Sequence, residues 1–423
     1  MRKAICLILA CVISICFAAC TDEPAVDSNA VFQVGFGKED ITPDYPVHLG
    51  GYPNVETRIS EGAVDKIYAI AVAMKDALGK TVVLITADIY MATNMVVSEV
   101  RGAVSEHTGI PEDCIMVSGT HNHSAPDYSF NSPSNHQFKT KLIDGIVSAA
   151  KQALLDYAPT EISVGSAQTE GLTFVRRYNL ANGEITSSNY NEEHGSTVVS
   201  HESEADTQMQ IVRFARENRK DIVLVNWQSF VGKQGNNNYI SPDFIGPLRN
   251  KVEQQLDVHC IYYEGAAGNL SFSDLLTGKG SSTGWQQAVA YGELAADFVI
   301  SALNNDDAFE QIRTGEISVR QTKFIAQQTL AEVNFVSAGD LSFLSLPMEL
   351  FDSLGVKIKQ ETPFTMTVLM GYTNGIGQYL PSQLAFSNGG YEAVHTSFRS
   401  GEGEKFVQFC LENLNELQSA STP

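Results

Sequence analysis

Short apolar runs recur along the chain, and each of them ends in a turn that carries polar residues. Six such runs are continuously apolar and rich in β-branched and aliphatic residues, without the alternation of a half-exposed strand. Strands that are buried on both faces have this pattern, because neither face needs polar side chains. We therefore predict buried strands at TVVLITAD (81–88), CIMVS (114–118), DIVLVNW (221–227), CIYYEG (260–265), LSFLSL (341–346) and FTMTVLM (364–370).

Longer segments between these runs place apolar residues at helical spacing, and some of them end at glycine. Alternation of strands with helices favours an α/β fold in which helices flank mixed β-sheets. The predicted amphipathic helices lie within 94–109, 137–157, 241–256, 283–303 and 401–417. In sheets of this kind, reacting groups gather where strands end and loops begin, so the polar strand ends are candidates to face one cleft.

The first candidate is SGTHNHSAP (118–126), which follows a predicted strand directly. Histidines two residues apart can share one face of an extended segment. Both rings can then reach one ligand, or one ring can bind while the other acts as a base. An ordinary polar loop is the alternative interpretation of His121 and His123.

A second candidate is EGAAGNLSFSD (264–274), in which small residues allow a substrate to approach the backbone closely. The amides of Gly268, Asn269 and Leu270 can form an anion-stabilising nest, with Ser271 beside them as a nucleophile or proton-sharing hydroxyl. A tight strand-to-helix turn is the alternative.

The third candidate is Glu349, a lone carboxylate in the apolar window LPMELF (346–351). A carboxylate among Leu, Met and Phe must be paired, ligated or exposed, because burying it without compensation is costly. It is therefore a candidate ligand or catalytic group, and an acid at the start of a helix is the alternative.

Composition narrows the functional classes. The chain is 43% hydrophobic and 18% charged, which is typical of globular proteins. Its net charge of -21 disfavours binding to nucleic acid or to anionic membranes through surface charge, since phosphate contacts need clustered Lys and Arg. No protein partner is inferred.

The N-terminus has the pattern of an export signal. Basic residues at positions 2 and 3 precede an apolar segment, and Phe-Ala-Ala-Cys at 17–20 is similar to a bacterial lipobox. We predict a lipoprotein signal peptide at 1–19, lipidation of Cys20, and a tether at 20–31. The expected location is the periplasm or cell surface of a Gram-negative bacterium, anchored to a membrane by the lipid. A plain secretory signal that is cut near Ala19 is the alternative.

Three further cysteines, Cys114, Cys260 and Cys410, match neither a zinc-binding nor a CxxC spacing. Each lies in an apolar run, so we predict buried free thiols.

Taken in order, the polar motifs resemble the catalytic domain of neutral (alkaline, non-lysosomal) ceramidases and their bacterial relatives. The resemblance covers about residues 32–395. It implies a single large catalytic domain at 32–423 that lacks the C-terminal β-domain of full-length ceramidases. The matching pieces are GFGKEDITP (35–43), LGGY (49–52), Asp65, Asp88, SGTHNHSAP, VRRYN (175–179), NWQSF (226–230), GAAGNLS (265–271), LPMELF and NGIGQYLPSQLAFSNGGYE (374–392).

The resemblance also implies a zinc site and its neighbours. It makes His121, Glu349 and Tyr379 metal ligands. Among the catalytic residues, His123 is similar to a histidine that supports the site, Arg176 to an arginine that orients the substrate, and Ser271 to an active-site serine. Tyr379 belongs to both groups.

The chain departs from the family pattern at one ligand. Where relatives read roughly NW-x-x-His-Pro, this chain has Asn-Trp-Gln-Ser-Phe at 226–230, and no histidine lies between His201 and His259. The side chain of Phe230 cannot bind zinc. Three protein ligands can hold a catalytic zinc ion if they are well placed, and rotation of His123 into the site is a geometric alternative.

The leading hypothesis is therefore an enzyme that hydrolyses the linear amide bond of an N-acyl sphingosine (ceramide)-like lipid. In this hypothesis zinc activates a water molecule, with serine, histidine and tyrosine side chains assisting. The alternative is a non-catalytic surface lipoprotein that binds a lipid or glycan and has lost part of its zinc site at Phe230.

Overall fold

The structure is a computed structural model that describes residues 31–188, 196–327, 329–375 and 377–420. The predicted signal peptide at 1–19 and Cys20 lie outside the described residues, as does all but the last residue of the tether at 20–31. Export and lipidation therefore stay predictions. None of the helices in the described ranges combines the length and the apolar character needed to cross a membrane.

Strands and helices alternate along most of the described chain. The strands are β1 (Gln33–Asp40), β2 (Gly62–Ala63), β3 (Tyr68–Lys75), β4 (Thr81–Ala87), β5 (Ile115–Gly119), β6 (Ala158–Gln168), β7 (Phe174–Val175), β8 (Arg177–Leu180), β9 (Ile185–Ser187), β10 (Val198–His201), β11 (Gln208–Arg216), β12 (Ile222–Trp227), β13 (Tyr239–Ile240), β14 (His259–Glu264), β15 (Leu270–Ser271), β16 (Phe309–Ile312), β17 (Ile317–Ala326), β18 (Thr329–Ala338), β19 (Leu341–Leu346), β20 (Glu349–Leu350), β21 (Met366–Gly371) and β22 (Tyr379–Leu380). The α-helices are α1 (Asn94–Thr108), α2 (Pro133–Leu155), α3 (Ile245–Leu256), α4 (Trp285–Leu303), α5 (Asp352–Glu361), α6 (Gln383–Asn388), α7 (Tyr391–Val394) and α8 (Glu402–Ala420).

Two sheets form the centre of the protein. The larger has the order β14-β12-β11-β6-β1-β3-β4-β5, with β16 also paired to β6, and the smaller has the order β17-β18-β19-β21. Three neighbouring pairs are parallel, namely β4 with β5, β12 with β14 and β19 with β21. Because parallel neighbours need a crossover, a helix joins each of these pairs: α1, α3 and α5 respectively.

The side chains of β3 show why the apolar runs are continuous. Ile70, Val72 and Met74 belong to a buried cluster that also contains Val336, Phe343 and Val368 of the smaller sheet. The alternate residues of β3, which are alanines, pack in a second cluster with α1 and α2. Both faces of the strand are therefore buried, one against the other sheet and one against helices.

The same arrangement extends across the molecule and gives a four-layer packing of helices, sheet, sheet and helices. Helices α3 and α4 pack on the other half of the large sheet, and α5 and α8 cover the small sheet. Helix α2 lies so close to β1 that a Cβ atom at Gly35 or Gly37 would approach a helix carbonyl oxygen to 2.0 Å. Glycine is required at these two positions by that close approach.

The predicted α/β class with flanking helices is confirmed, as are the six predicted strands and the five predicted helices. The three cysteines are buried free thiols, as predicted. The strands that were not predicted include antiparallel members of the large sheet, such as β1, β6 and β11.

Asp88, at the end of the predicted run 81–88, serves the fold. Its carboxylate is fully buried and accepts hydrogen bonds from Arg249 Nη1 at 3.0 Å and Arg249 Nη2 at 2.6 Å. The Tyr68 amide donates to the same carboxylate at 2.9 Å. The pair ties α3 to the end of β4, so Asp88 does not supply a free reacting group to a cleft.

We predict that Asp88→Asn lowers the free energy of unfolding by about 3–5 kcal/mol, because it leaves the buried Arg249 guanidinium without a counter-ion. Urea unfolding measures the loss. The matched control is Glu99→Gln, which breaks the partly exposed ion pair with Lys139 and should cost about 0–1 kcal/mol. Equal losses in the two variants would contradict a structural role for the buried pair.

Candidate active site

The loop after β5 carries His121 and His123 and is fixed by backbone hydrogen bonds on two sides. The Thr120 amide donates to the Ala87 carbonyl at 3.0 Å, and the His123 amide donates to the Val231 carbonyl at 3.2 Å. The end of β4 and the loop after β12 therefore hold the histidines between them. The loop after β21 also contacts this segment, because the Gly119 amide donates to the Tyr372 carbonyl at 3.2 Å.

His121 itself has an unusual backbone conformation. Its φ of 59° lies in the left-handed region, which costs a residue other than glycine about 1–2 kcal/mol. The ring is stacked between two tyrosines, with centroid distances of 3.8 Å to Tyr372 and 4.7 Å to Tyr90. Neither tyrosine was predicted from the sequence, although both follow strand ends. Their stacking offsets the backbone cost and fixes the direction of the imidazole.

The two imidazoles face each other. Their Nε2 atoms are 3.3 Å apart, and His121 Nδ1 lies 3.3 Å from the Tyr90 carbonyl oxygen. These distances assign Nδ1–H to His121, which donates to Tyr90, and Nε2–H to His123, which donates to His121. Burial and the neighbouring His123 hold the pKa of His121 well below its ordinary value. Burial, assisted by Arg58 and Arg176, lowers the pKa of His123 to about 3, so both rings are neutral at physiological pH.

Glu349 and Tyr379 are brought to the histidines by a short parallel pairing. Strands β20 and β22 place these two residues directly opposite each other, and Glu349 Oε2 is 3.8 Å from His121 Nε2. Burial raises the pKa of Glu349 to about 8, although Arg176 acts in the opposite direction. Burial, followed by the nearby Glu349, also raises the pKa of Tyr379. Glu349 lies in a strand, so its interpretation as a helix-start acid is wrong.

Arg176 supplies the permanent positive charge of the site. Its side chain is buried, its Nε donates to Glu392 Oε1 at 2.8 Å, and its Nη2 donates to the Gly268 carbonyl at 2.9 Å. The guanidinium carbon lies 5.5 Å from the centre of the Tyr379 ring. Burial alone would lower the pKa of Arg176, but Tyr379 and Glu392 outweigh it and raise the pKa, so the guanidinium stays charged.

A cavity of about 600 Å³ opens beside these groups. His121, His123, Arg176, Tyr379 and Phe230 all line it. Its other aromatic lining residues are Tyr52, Tyr90, Tyr128 and Tyr391. The cavity therefore combines an apolar aromatic wall with a small polar centre, as ligand sites commonly do. A larger cavity of about 920 Å³ lies elsewhere, and none of the predicted site residues lines it.

The turn after β14 has a different role from the one predicted. The Gly268 amide donates to the Leu350 carbonyl and the Leu270 amide to the Ala267 carbonyl, so the prediction of an anion-binding nest is wrong. Ser271 lies on β15, and its hydroxyl is 3.0 Å from that of Ser273. Among the described residues, Ser271 is not one that lines the cavity, and its catalytic role stays a prediction.

Comparison with solved structures shows the class of fold. A structure described as a ceramidase complexed with C2 is 16% identical and has a TM-score of 0.73, with 93% of this chain and 76% of that chain covered. A neutral ceramidase from Pseudomonas aeruginosa is 17% identical and has a TM-score of 0.71, with coverage of 92% and 75%. At this level of identity the comparison establishes the fold alone.

The family follows from the sequence itself. The profile of the family described as "Neutral/alkaline non-lysosomal ceramidase, N-terminal" matches residues 32–273. The chain therefore belongs to the neutral/alkaline ceramidase family, as its motifs predicted. A comparison with curated proteins gives no match.

The residues present do not complete the zinc centre that the resemblance implies. A catalytic zinc ion is ordinarily held by three ligands drawn from His, Cys, Asp and Glu. Within the described ranges, no three such side chains are grouped so that they can hold a metal ion. Tyr379 is a phenol whose pKa is raised by burial, and Phe230, 4.7 Å from the His123 ring, supplies no donor. The set of zinc ligands therefore lacks one imidazole, at the position that Phe230 occupies.

We predict that Phe230→His strengthens zinc binding at least tenfold, because it adds an imidazole to the wall that already holds His121 and Glu349. Isothermal titration calorimetry and elemental analysis of the purified proteins measure the change. The matched control is Phe230→Ala, which opens the same space without a donor and should bind zinc no better than the parent protein. Zinc binding that is tight in the parent and unchanged in Phe230→His would contradict this reading of the site.

Proposed function

We propose that the chain is a hydrolase that cleaves the amide bond of an N-acyl lipid of the ceramide type in the aromatic cavity. One observation carries the proposal: His121, His123, Arg176, Glu349 and Tyr379, which are far apart in sequence, meet beside a single cavity. Membership of the ceramidase family supports the class of reaction.

The imidazole pair is the proposed base. Both rings are neutral, and the lone pair of His121 Nε2 accepts the hydrogen bond that His123 Nε2–H donates. When a water molecule takes the place of His123 at this lone pair, His121 can accept a proton from the water as it adds to the amide carbonyl. Proton transfer of this kind by a positioned histidine typically contributes 10²–10⁴-fold to the rate, on the order of magnitude seen in other enzymes.

Arg176, Glu349 and Tyr379 are the proposed groups for the rest of the reaction. The charged Arg176 faces the cavity and can stabilise the carbonyl oxygen as negative charge develops on it. The carbon–nitrogen bond then breaks, and the leaving amine takes a proton from the Glu349 carboxyl group or the Tyr379 phenol. The proton that His121 takes from the water can pass to Glu349, whose Oε2 lies 3.8 Å from His121 Nε2, and Tyr379 lies directly opposite Glu349, so the groups can return to their starting states.

The expected result is release of free amine from N-acyl sphingosines by the purified protein. His121→Ala should lower the turnover about 100-fold or more, because it removes the proposed base. His107→Ala makes the same substitution on the exposed part of α1 and should leave turnover unchanged. Assays are run on N-acyl sphingosines and on other N-acyl amides, with added zinc and with chelator. Absence of turnover on every substrate under both conditions would overturn the proposal.

The presence of Phe230 favours a second candidate, a surface protein that binds a lipid or glycan without cleaving it. Phe230 packs against His123 and lies 5.8 Å from the Phe272 ring, so it extends the aromatic wall where relatives carry a metal ligand. This candidate predicts a rise in melting temperature with N-acyl sphingosine and no free amine. The same assay therefore separates the two functions.

A further inference from the structure

Glu392 is a fully buried carboxylate just outside the cavity. It lies in the short helix α7 and contacts two consecutive arginines, Arg176 between β7 and β8 and Arg177 at the start of β8. Its Oε1 accepts from Arg176 Nε at 2.8 Å, and its Oε2 accepts from Arg177 Nη1 at 2.9 Å. The carboxylate is therefore shared between the arginine of the cavity and the arginine behind it.

We propose that Glu392 is a positioning residue, which acts through Arg176 and holds its guanidinium in the cavity wall against Tyr379. The inference rests on the proposed function for its effect on catalysis. The structural part of the inference is the direction of the Arg176 side chain, and it rests on the contacts of Glu392 alone.

The contacts of Arg176 show why it needs this partner. Glu392 binds the Nε edge of the guanidinium, and the Tyr379 ring lies 5.5 Å from the guanidinium carbon on the side of the cavity. Its Nη2 and Nη1 atoms donate to the backbone carbonyls of Gly268 and Leu270, which carry no net charge. Without Glu392, the Nε edge loses its charged partner, so the guanidinium should leave its present position in the cavity wall.

Arg177, the second arginine bound by Glu392, has further partners of its own. Arg177 donates from Nε and Nη2 to the Glu202 carboxylate at 2.6 Å and 2.9 Å, and from Nη2 to the Gly389 carbonyl at 2.7 Å. These bonds fix the start of α7. Burial alone would raise the pKa of Glu392, but Arg176 and Arg177 outweigh it and lower the pKa, so the carboxylate stays charged.

Glu202 provides a matched control. Like Glu392 it is a buried carboxylate of the same arginine cluster, but it bonds Arg177 and not Arg176. Glu202→Gln therefore removes a comparable charge from the cluster and leaves the partner of Arg176 in place. A loss of kcat/KM that only reflects weaker packing of the cluster should appear in both variants.

The first test is a pair of crystal structures, of Glu392→Gln and of Glu202→Gln. We expect the Arg176 guanidinium to move away from its present position in Glu392→Gln and to keep it in Glu202→Gln. An unmoved Arg176 in Glu392→Gln would overturn the inference. If that variant does not fold, Glu392→Asp replaces it, because it keeps the charge but withdraws it by one methylene group. This test does not depend on turnover, so it remains decisive if the proposed function fails.

The second test is a double-mutant cycle on the hydrolysis of N-acyl sphingosine. Glu392→Gln should lower kcat/KM about tenfold or more and Glu202→Gln less than about twofold, because misplacing a group that stabilises the transition state is costly. In the Arg176→Lys background, Glu392→Gln should cause little further loss, since both changes act through one guanidinium. Glu392→Asp should restore part of the rate. Additive losses would show that Glu392 acts on stability and not through Arg176.

Discussion

The large sheet is covered on both faces, by helices on one side and by the smaller sheet on the other, and the architecture of the site follows from this constraint. A strand with two buried faces has no place for an uncompensated polar side chain along its length. The polar groups of the candidate site accordingly lie at strand ends, as in the loop after β5 and the short strands β20 and β22. The loop after β21 of the smaller sheet forms hydrogen bonds with the end of β5 of the large sheet, so strand ends from both sheets meet where the cavity opens.

Charge is distributed within the site according to the same constraint. Among the described residues that line the cavity, Arg176 is the one permanent cation, and its charge is matched by the buried carboxylate of Glu392 behind it. The imidazoles of His121 and His123 stay neutral because burial penalises their charged forms. Amide hydrolysis can use both kinds of group. One is a positive charge that a counter-ion holds in place, and the other is a pair of neutral bases.

The sequence predicts some parts of the structure better than others. Continuous apolar runs predicted β4, β5, β12, β14, β19 and β21, because burial on both faces leaves a strong local pattern. Strand β3 obeys the same rule at 68–75 and was open to the same prediction, whereas β1 is interrupted by Gly35 and Gly37, which serve the close packing of α2. The motif resemblance identified five residues that the fold does bring together around the cavity.

The partners of those residues were harder to predict, since each depends on which loops meet in three dimensions. Arg176 and Glu392 are 216 positions apart, and no local pattern connects them. Tyr372 and Tyr90 stack on His121 from separate loops. The turn at 265–271 has the small residues of an anion-binding nest, but the Gly268 amide is taken by the carbonyl of Leu350 in the strand that carries Glu349. The role of this turn therefore depends on a hydrogen bond to a distant strand, which the local sequence does not reveal.

The most direct measurement is a crystal structure of the protein with a non-hydrolysable analogue of an N-acyl sphingosine amide. We expect the carbonyl oxygen to lie within hydrogen-bonding distance of Arg176 and the reacting carbon to face His121, with the acyl chain along Phe230 and the neighbouring tyrosines. An analogue bound elsewhere, for example in the larger cavity near Phe32 and Arg213, with Arg176 and His121 left uncontacted, would contradict it.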